Sequence, residues 1–242
     1  MFLCIGGIKG GPGKTTIATN LAVTRARAGY DVLLIDADDQ ETAADFAQLR
    51  EQKLGDPGYT TIKLTEHAVR TQALRLRDKY DDIIVDTGGR DTISQRAALS
   101  VADALLVPFV PRSFDVWTLE KVANLVEEMR TANPNLRAHT LLNRADARGH
   151  DNSAAADLLK DTSALTFSGL TIGTRKAFGN AAAMGLAVTE LKPEDRKASD
   201  EIMALYRYVF DIGSISAEYQ FRTGSEGYRN GADSEAEFPR QN

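Results

Sequence analysis

The chain has 242 residues, 43% of them hydrophobic, enough for one sizeable α/β core with room for appendages. A formal charge of −5 excludes a protein that is basic over its whole surface, so any nucleic-acid contact must come from a local patch. The single cysteine, Cys4, excludes an internal disulfide and any all-cysteine metal centre within one chain. No run approaches the roughly 18 apolar residues that span a bilayer. The first residues enter a strand-like run with no charged leader before it, so a cytoplasmic location is expected.

FLCIGGI opens the chain, and residues 2–8 are expected to form the first strand, with Cys4 as a small buried side chain. Further strands are expected at 31–36, 60–64, 82–86, 104–109, 139–143 and 170–173. Helices are expected at 14–28, 41–54, 66–80, 92–101, 116–131, 152–160 and 195–210, with Gly29 and Pro134 as stops. The Ala- and Gly-rich stretch 176–191 accommodates a short helix ending near Gly185. Such alternation predicts the α/β class, a mainly parallel sheet flanked by helices on both faces. After Gly213 no apolar period is visible and Gly, Ser, Glu and Asn collect. Residues 1–212 are therefore read as the folded unit and 213–242 as a flexible tail.

The stretch IKGGPGKTTI lies where the first strand gives way to the first helix. Gly10, Gly11 and Gly13 let backbone N–H groups converge on phosphate oxygens, and the helix start adds its positive dipole end. Lys14 is placed to reach the β- and γ-phosphates, the Thr15 hydroxyl to bind Mg²⁺, and Thr16 to donate to the α-phosphate. Pro12 has no N–H and gives up one donor. The common loop pattern is G-x-x-x-x-G-K-[ST], which puts a glycine where this chain has Ile8; the loop instead carries a second lysine, Lys9. Two acidic strand ends accompany it, Asp36 and Asp38 in VLLIDADDQ and Asp86 in DDIIVDTGG. Either alone reads equally well as an N-cap; beside a phosphate-binding loop they suit Mg²⁺ and a polarised water.

KGGPGKTT, IDADDQ and IVDTGG together resemble the ParA/MinD family of deviant P-loop ATPases, and within it the ParA branch, over roughly residues 1–210. The resemblance implies ATP and Mg²⁺ as cofactors. It implies that Lys9 reaches across an ATP-sandwiched homodimer to the other subunit's nucleotide, that Asp38 orients the attacking water, and that Asp36 supports the metal shell with Thr15 and Asp86. The family's usual Asp-Pro-Gln is here Asp38-Asp39-Gln40. HTLLNRAD is similar to the family's adenine-reading strand end, which makes Asn143 the adenine-binding candidate. VPFVPRSFDVW resembles the loop beside the nucleotide and dimer face, with Trp117 read as a packing residue.

Within that family, iron-protein reductases need cysteines that this chain lacks, and a MinD-type membrane cycle needs a basic amphipathic C-terminal helix that the tail does not show. Tyr219 and Tyr228 are thin support for a tyrosine-kinase tail. The pairs Arg175-Lys176 and Arg196-Lys197 resemble positions where ParA proteins contact DNA, although Glu190, Glu194, Asp195 and Asp200 dilute the patch. The reading is a small ParA-type ATPase that binds DNA nonspecifically and is stimulated by a ParB-like or other adaptor, cytoplasmic and nucleoid-associated when ATP-bound. The alternative is a metabolic P-loop enzyme of the dethiobiotin synthetase kind.

Overall fold

The computed structural model describes residues 1–113, 116–146 and 151–226. Seven strands are present: β1 Phe2–Ile5, β2 Val32–Ala37, β3 Thr60–Lys63, β4 Asp82–Thr87, β5 Ala104–Phe109, β6 Arg137–Ala145 and β7 Thr166–Gly173. They form one sheet in the order β3-β2-β4-β1-β5-β6-β7, and every pairing is parallel. The helices are α1 Lys14–Arg27, α2 Thr42–Leu54, α3 His67–Leu76, α4 Ile93–Leu99, α5 Val116–Ala132, α6 Asp151–Lys160, α7 Lys176–Ala183 and α8 Arg196–Glu226.

Strand side chains alternate between two cores because successive Cβ atoms point to opposite faces. Leu3, Ile5, Leu34, Ile84 and Leu106 pack under α1, α2, α7 and α8. Phe2, Cys4, Ile35, Val85 and Leu105 pack under α3, α4, α5 and α6. Cys4 is wholly buried, and burial raises its thiol pKa further above the ordinary range. β1 and β4 are neighbours, yet their following helices leave to opposite faces. That divergence opens a crevice at the carboxyl edge of the two strands, the place where open α/β sheets bind ligands.

The elements match the expected order, with local differences. β1 stops at Ile5 instead of residue 8 because Gly7 turns away with φ 147°, although Gly6 N–H still donates to Leu106 O at 3.1 Å. β6 and β7 are longer than expected and pair with register shifts between Thr140 and Ala145. The short helix read into 176–191 exists as α7 and ends before Gly185, whose φ of 68° lets the chain turn there. The last helix does not stop at residue 210; α8 continues through 213–226, a segment read as tail. Residues 227–242, the rest of that expected tail, lie outside the described residues.

Candidate functional site

The loop between β1 and α1 is fixed from several sides. Gly13 caps α1 with φ 86° and ψ 28°, a left-handed conformation that glycine adopts without steric cost. A Cβ on it would lie 2.5 Å from Asn143 Nδ2, so space as well as conformation requires glycine. That same Nδ2 donates to Pro12 O at 2.6 Å, and Asn143 is only 5% exposed. Asn143 therefore holds the loop's backbone from the end of β6 while its residue also lines the cleft expected to take the base.

Gly7 N–H donates to Gln95 Oε1 at 2.9 Å, and Thr87 Oγ1 donates to the same oxygen at 3.0 Å. This buried bridge ties the start of the loop to the end of β4 through α4. The β4–α4 loop also lies directly on the phosphate loop: a Cβ on Gly89 would be 2.5 Å from Gly10 Cα and 2.7 Å from Gly10 N. These contacts leave a cleft of ≈ 740 Å³ lined by Lys14, Thr15, Thr16, Asp38, Arg90 and Arg144, among others.

Lys14 is 6% exposed and its ammonium donates to Lys9 O at 3.2 Å. Burial lowers its pKa, with Asp86 and Asp38 opposing the shift. Asp86 has no exposure, and burial lifts its pKa to about 7. The Asp36 and Asp38 charges push the same way, while Thr15 and Lys14 pull it back. Thr15 is close enough to influence Asp86, yet neither carboxylate oxygen makes a hydrogen bond of good geometry.

Two buried, unsatisfied carboxylate oxygens beside a threonine hydroxyl suit a hard cation. No group of three His, Cys, Asp or Glu side chains forms a metal cage among the described residues. Mg²⁺ does not need one, because one or two protein oxygens plus phosphates and waters complete its shell. Thr15 and Asp86 are thus the residues present that fit Mg²⁺. Asp36 is engaged differently: it accepts from Ala44 N at 2.8 Å and from Asp38 N at 3.2 Å, shaping the turn into α2. Asp38 is partly exposed, accepts from Gln40 N at 3.2 Å, and faces Gly88 across the cleft. Lys9 is exposed and lines a smaller cleft of ≈ 260 Å³ with Pro12 and Arg144.

A second cleft, ≈ 320 Å³, shares Gly13, Thr16 and Arg144 with the first and is walled by Asn143, Phe178 and Arg175. Arg175, expected in the DNA-facing patch, lines both this cleft and a surface groove that it shares with Lys176. Its guanidinium forks onto Glu201 of α8, with Nε 2.8 Å from Oε2. Lys176, Arg196 and Lys197 are exposed, at the starts of α7 and α8. Of the acids expected to dilute them, one is turned away and one stays at the start of α8. Glu190 pairs with the buried Arg50 at 2.7 and 2.9 Å, and Asp195 accepts from Ala198 N at 3.1 Å. Trp117 corrects another expectation: it is 76% exposed at the start of α5 and packs no core. Residues 114–115 of its loop lie outside the described residues.

The sequence reading missed Arg90, Gln95 and Arg144, and took Gly89 only as the end of the IVDTGG motif. Arg90 follows the TGG motif directly and is within reach of a motif extended by one residue. Arg144 stands beside Asn143 in HTLLNRAD, but nothing local tells that it turns over the loop, and nothing local marks Gln95, whose partners lie far along the chain.

Residues 3–188 match the CobQ/CobB/MinD/ParA nucleotide binding domain. The chain is 26% identical over 202 residues to maintenance of carboxysome distribution protein A of Halothiobacillus neapolitanus, covering 83% of this chain and 92% of that one. Its fold resembles a putative plasmid partition protein of Borrelia burgdorferi bound to AMPPNP, with TM-score 0.70, 20% identity, and coverage of 87% and 98%. It also resembles the septum site-determining protein MinD of Pyrococcus horikoshii complexed with Mg-ADP, with TM-score 0.67, 18% identity, and coverage of 88% and 97%. With the deviant loop and its buried acids in place, the chain belongs to the ParA/MinD family of P-loop nucleotide-binding proteins.

Proposed function

We propose that this protein is an ATPase that closes into a homodimer on ATP, coats DNA without sequence preference and positions a cargo. The observation that carries the reading is the division of labour between two lysines on one loop. Lys14 is buried within the phosphate cleft, whereas Lys9 is exposed on the same loop, open to a nucleotide that a second subunit would bring. Lys14 and the loop amides hold the β- and γ-phosphates, and Asp38 orients the attacking water at the open side of the cleft. Thr15 and Asp86 hold Mg²⁺, which supplies neutralisation of phosphate charge. Lys9 of a second subunit adds a cation as bond cleavage proceeds, as an arginine finger does.

Lys176, Arg196 and Lys197, doubled in a dimer, supply the DNA contacts. An adaptor of the ParB kind stimulates hydrolysis and release. Cargo is a plasmid, a chromosome or a protein assembly, the range spanned by the names of the relatives. Among the described residues no helix is long and apolar enough to cross a membrane. The protein acts in the cytoplasm, on the nucleoid when ATP is bound. The test is retention on random-sequence DNA with ATP, ADP or no nucleotide. Retention with ATP alone, lost at raised salt, is expected; ATP hydrolysis with no DNA retention would leave the small-molecule ligase alternative.

A further inference from the structure

β6 ends in a backbone step that its sequence does not announce. Arg144 has φ 52°, a left-handed conformation that a long side chain seldom adopts. The β6–β7 register shifts between Leu142 and Ala145 at the same point. Asn143 and Ala145 on either side are buried, while Arg144 is exposed. The step thus carries Arg144 out of the sheet and over the phosphate loop. Its Nε lies 3.8 Å from where a Cβ on Gly13 would sit. Asp146, the nearest acid in the chain, is paired with Arg112 instead.

Arg144 lines the phosphate cleft, the cleft walled by Phe178, and a third of ≈ 260 Å³ beside Lys9. A strained backbone persists where surrounding structure enforces it, and such steps cluster at ligand sites. Here the bridge from Asn143 to Pro12 and the pairing with β7 enforce it.

We propose that Arg144 is a nucleotide ligand, its guanidinium closing over the α-phosphate where the base cleft meets the phosphate cleft. This rests on the nucleotide reading of the site. The γ-phosphate end is served by Lys14 and Asp38, and the base end is walled by Phe178. The junction between them is the position of the α-phosphate, common to ATP and ADP. A planar guanidinium suits it through paired N–H donors.

Binding of ATP, ADP and adenosine is measured by calorimetry for wild type, Arg144→Ala, Arg144→Gly and Arg144→Lys. Loss of charge-assisted hydrogen bonds should weaken ATP and ADP by the same factor, about 10- to 100-fold, in the Ala and Gly variants. Arg144→Lys should recover part of it as a point charge. Arg144→Gly removes the strained side chain, so its melting temperature should hold while binding falls, which separates ligand contact from folding. Unchanged affinity for both nucleotides would overturn the proposal. So would a loss confined to ATP, which places the guanidinium at the γ-phosphate, or an equal loss for adenosine, which places it on the base. If wild type binds neither nucleotide, the reading of the site itself fails, whatever Arg144 does.

Discussion

At the crevice between β1 and β4, Lys14 is 6% exposed, Asp86 is fully buried, and Gly13 and Gly89 have no room for a Cβ. At the starts of α7 and α8, Lys176, Arg196 and Lys197 stand in solvent on helix ends. The first set sits on loops that are held by packed backbone and by the long-range hydrogen bonds from Asn143 to Pro12 and from Gly7 to Gln95; the second is carried on exposed helix starts. A compact phosphate chain must be met by groups fixed in one geometry, whereas an extended polyanion is served by surface charge at approximate spacing. Substitutions in the crevice should therefore act all or none, and those on the rim should act by degrees.

The largest expected effect follows Lys14→Ala, which removes the buried cation nearest the phosphates and leaves Asp86 without its counter-charge. Nucleotide affinity should drop by about 100-fold or more, read by calorimetry. Near wild-type binding would break the assignment of this crevice as the phosphate site. Gly89→Ala tests packing in the same region, because its Cβ would meet backbone of Gly10 and Lys9, not a flexible side chain. Forcing the two loops apart should cost about 1–3 kcal/mol in chemical denaturation and impair nucleotide binding. Full stability and binding would show that the loops are not held against each other.

Lys9 stands between the two regions, on the phosphate loop yet exposed. Lys9→Ala should leave ATP binding only modestly weakened and dimerisation and hydrolysis sharply reduced. Mixed with Asp38→Ala, it should form a heterodimer with one competent site, whose turnover exceeds that of either variant alone. No recovery in a demonstrated heterodimer would confine Lys9 to its own chain.

Asp86 predicts a pH effect on the nucleotide-free protein. Its carboxyl is raised from 3.8 to about 7 in the folded state, so between those values the folded chain holds a proton that the unfolded chain releases. Stability from this group is present at low pH and is lost as pH rises through that window. Asp86→Asn should flatten the dependence and melt higher than wild type at pH 8; the same deficit at pH 5 and pH 8 would contradict the burial argument. The smallest and most graded effect belongs to the rim. Each of Lys176→Ala, Arg196→Ala and Lys197→Ala should lower the slope of log affinity against log salt on duplex DNA by about 0.9 for each phosphate no longer neutralised. Arg175→Ala should leave that slope unchanged and disturb nucleotide binding instead, because its guanidinium is committed to Glu201 beside the base cleft.

The strand-and-helix order was legible because buried parallel strands are short apolar runs and the helices between them carry stops such as Gly29. The P-loop was legible for a different reason: phosphate binding needs glycines, a lysine and a hydroxyl contiguous in the chain. Boundaries were less so. β7 begins at Thr166 although its early residues are partly exposed, and α8 passes through Gly213, where local propensity argues for an end.

Sequence alone determined the nucleotide loop, the acidic strand ends Asp36, Asp38 and Asp86, the second lysine and the parallel α/β architecture, since each is a local pattern. Tertiary structure decided which way each remaining side chain turned. It gave Asn143 to Pro12, Arg175 to Glu201, Glu190 to Arg50 and Gln95 to Gly7, over separations of 131, 26, 140 and 88 residues. It also left Trp117 in solvent and swung Arg144 over the loop. A charged or amide side chain goes to whichever partner satisfies it when water is withdrawn, and that partner is set by how the sheet brings distant strand ends together.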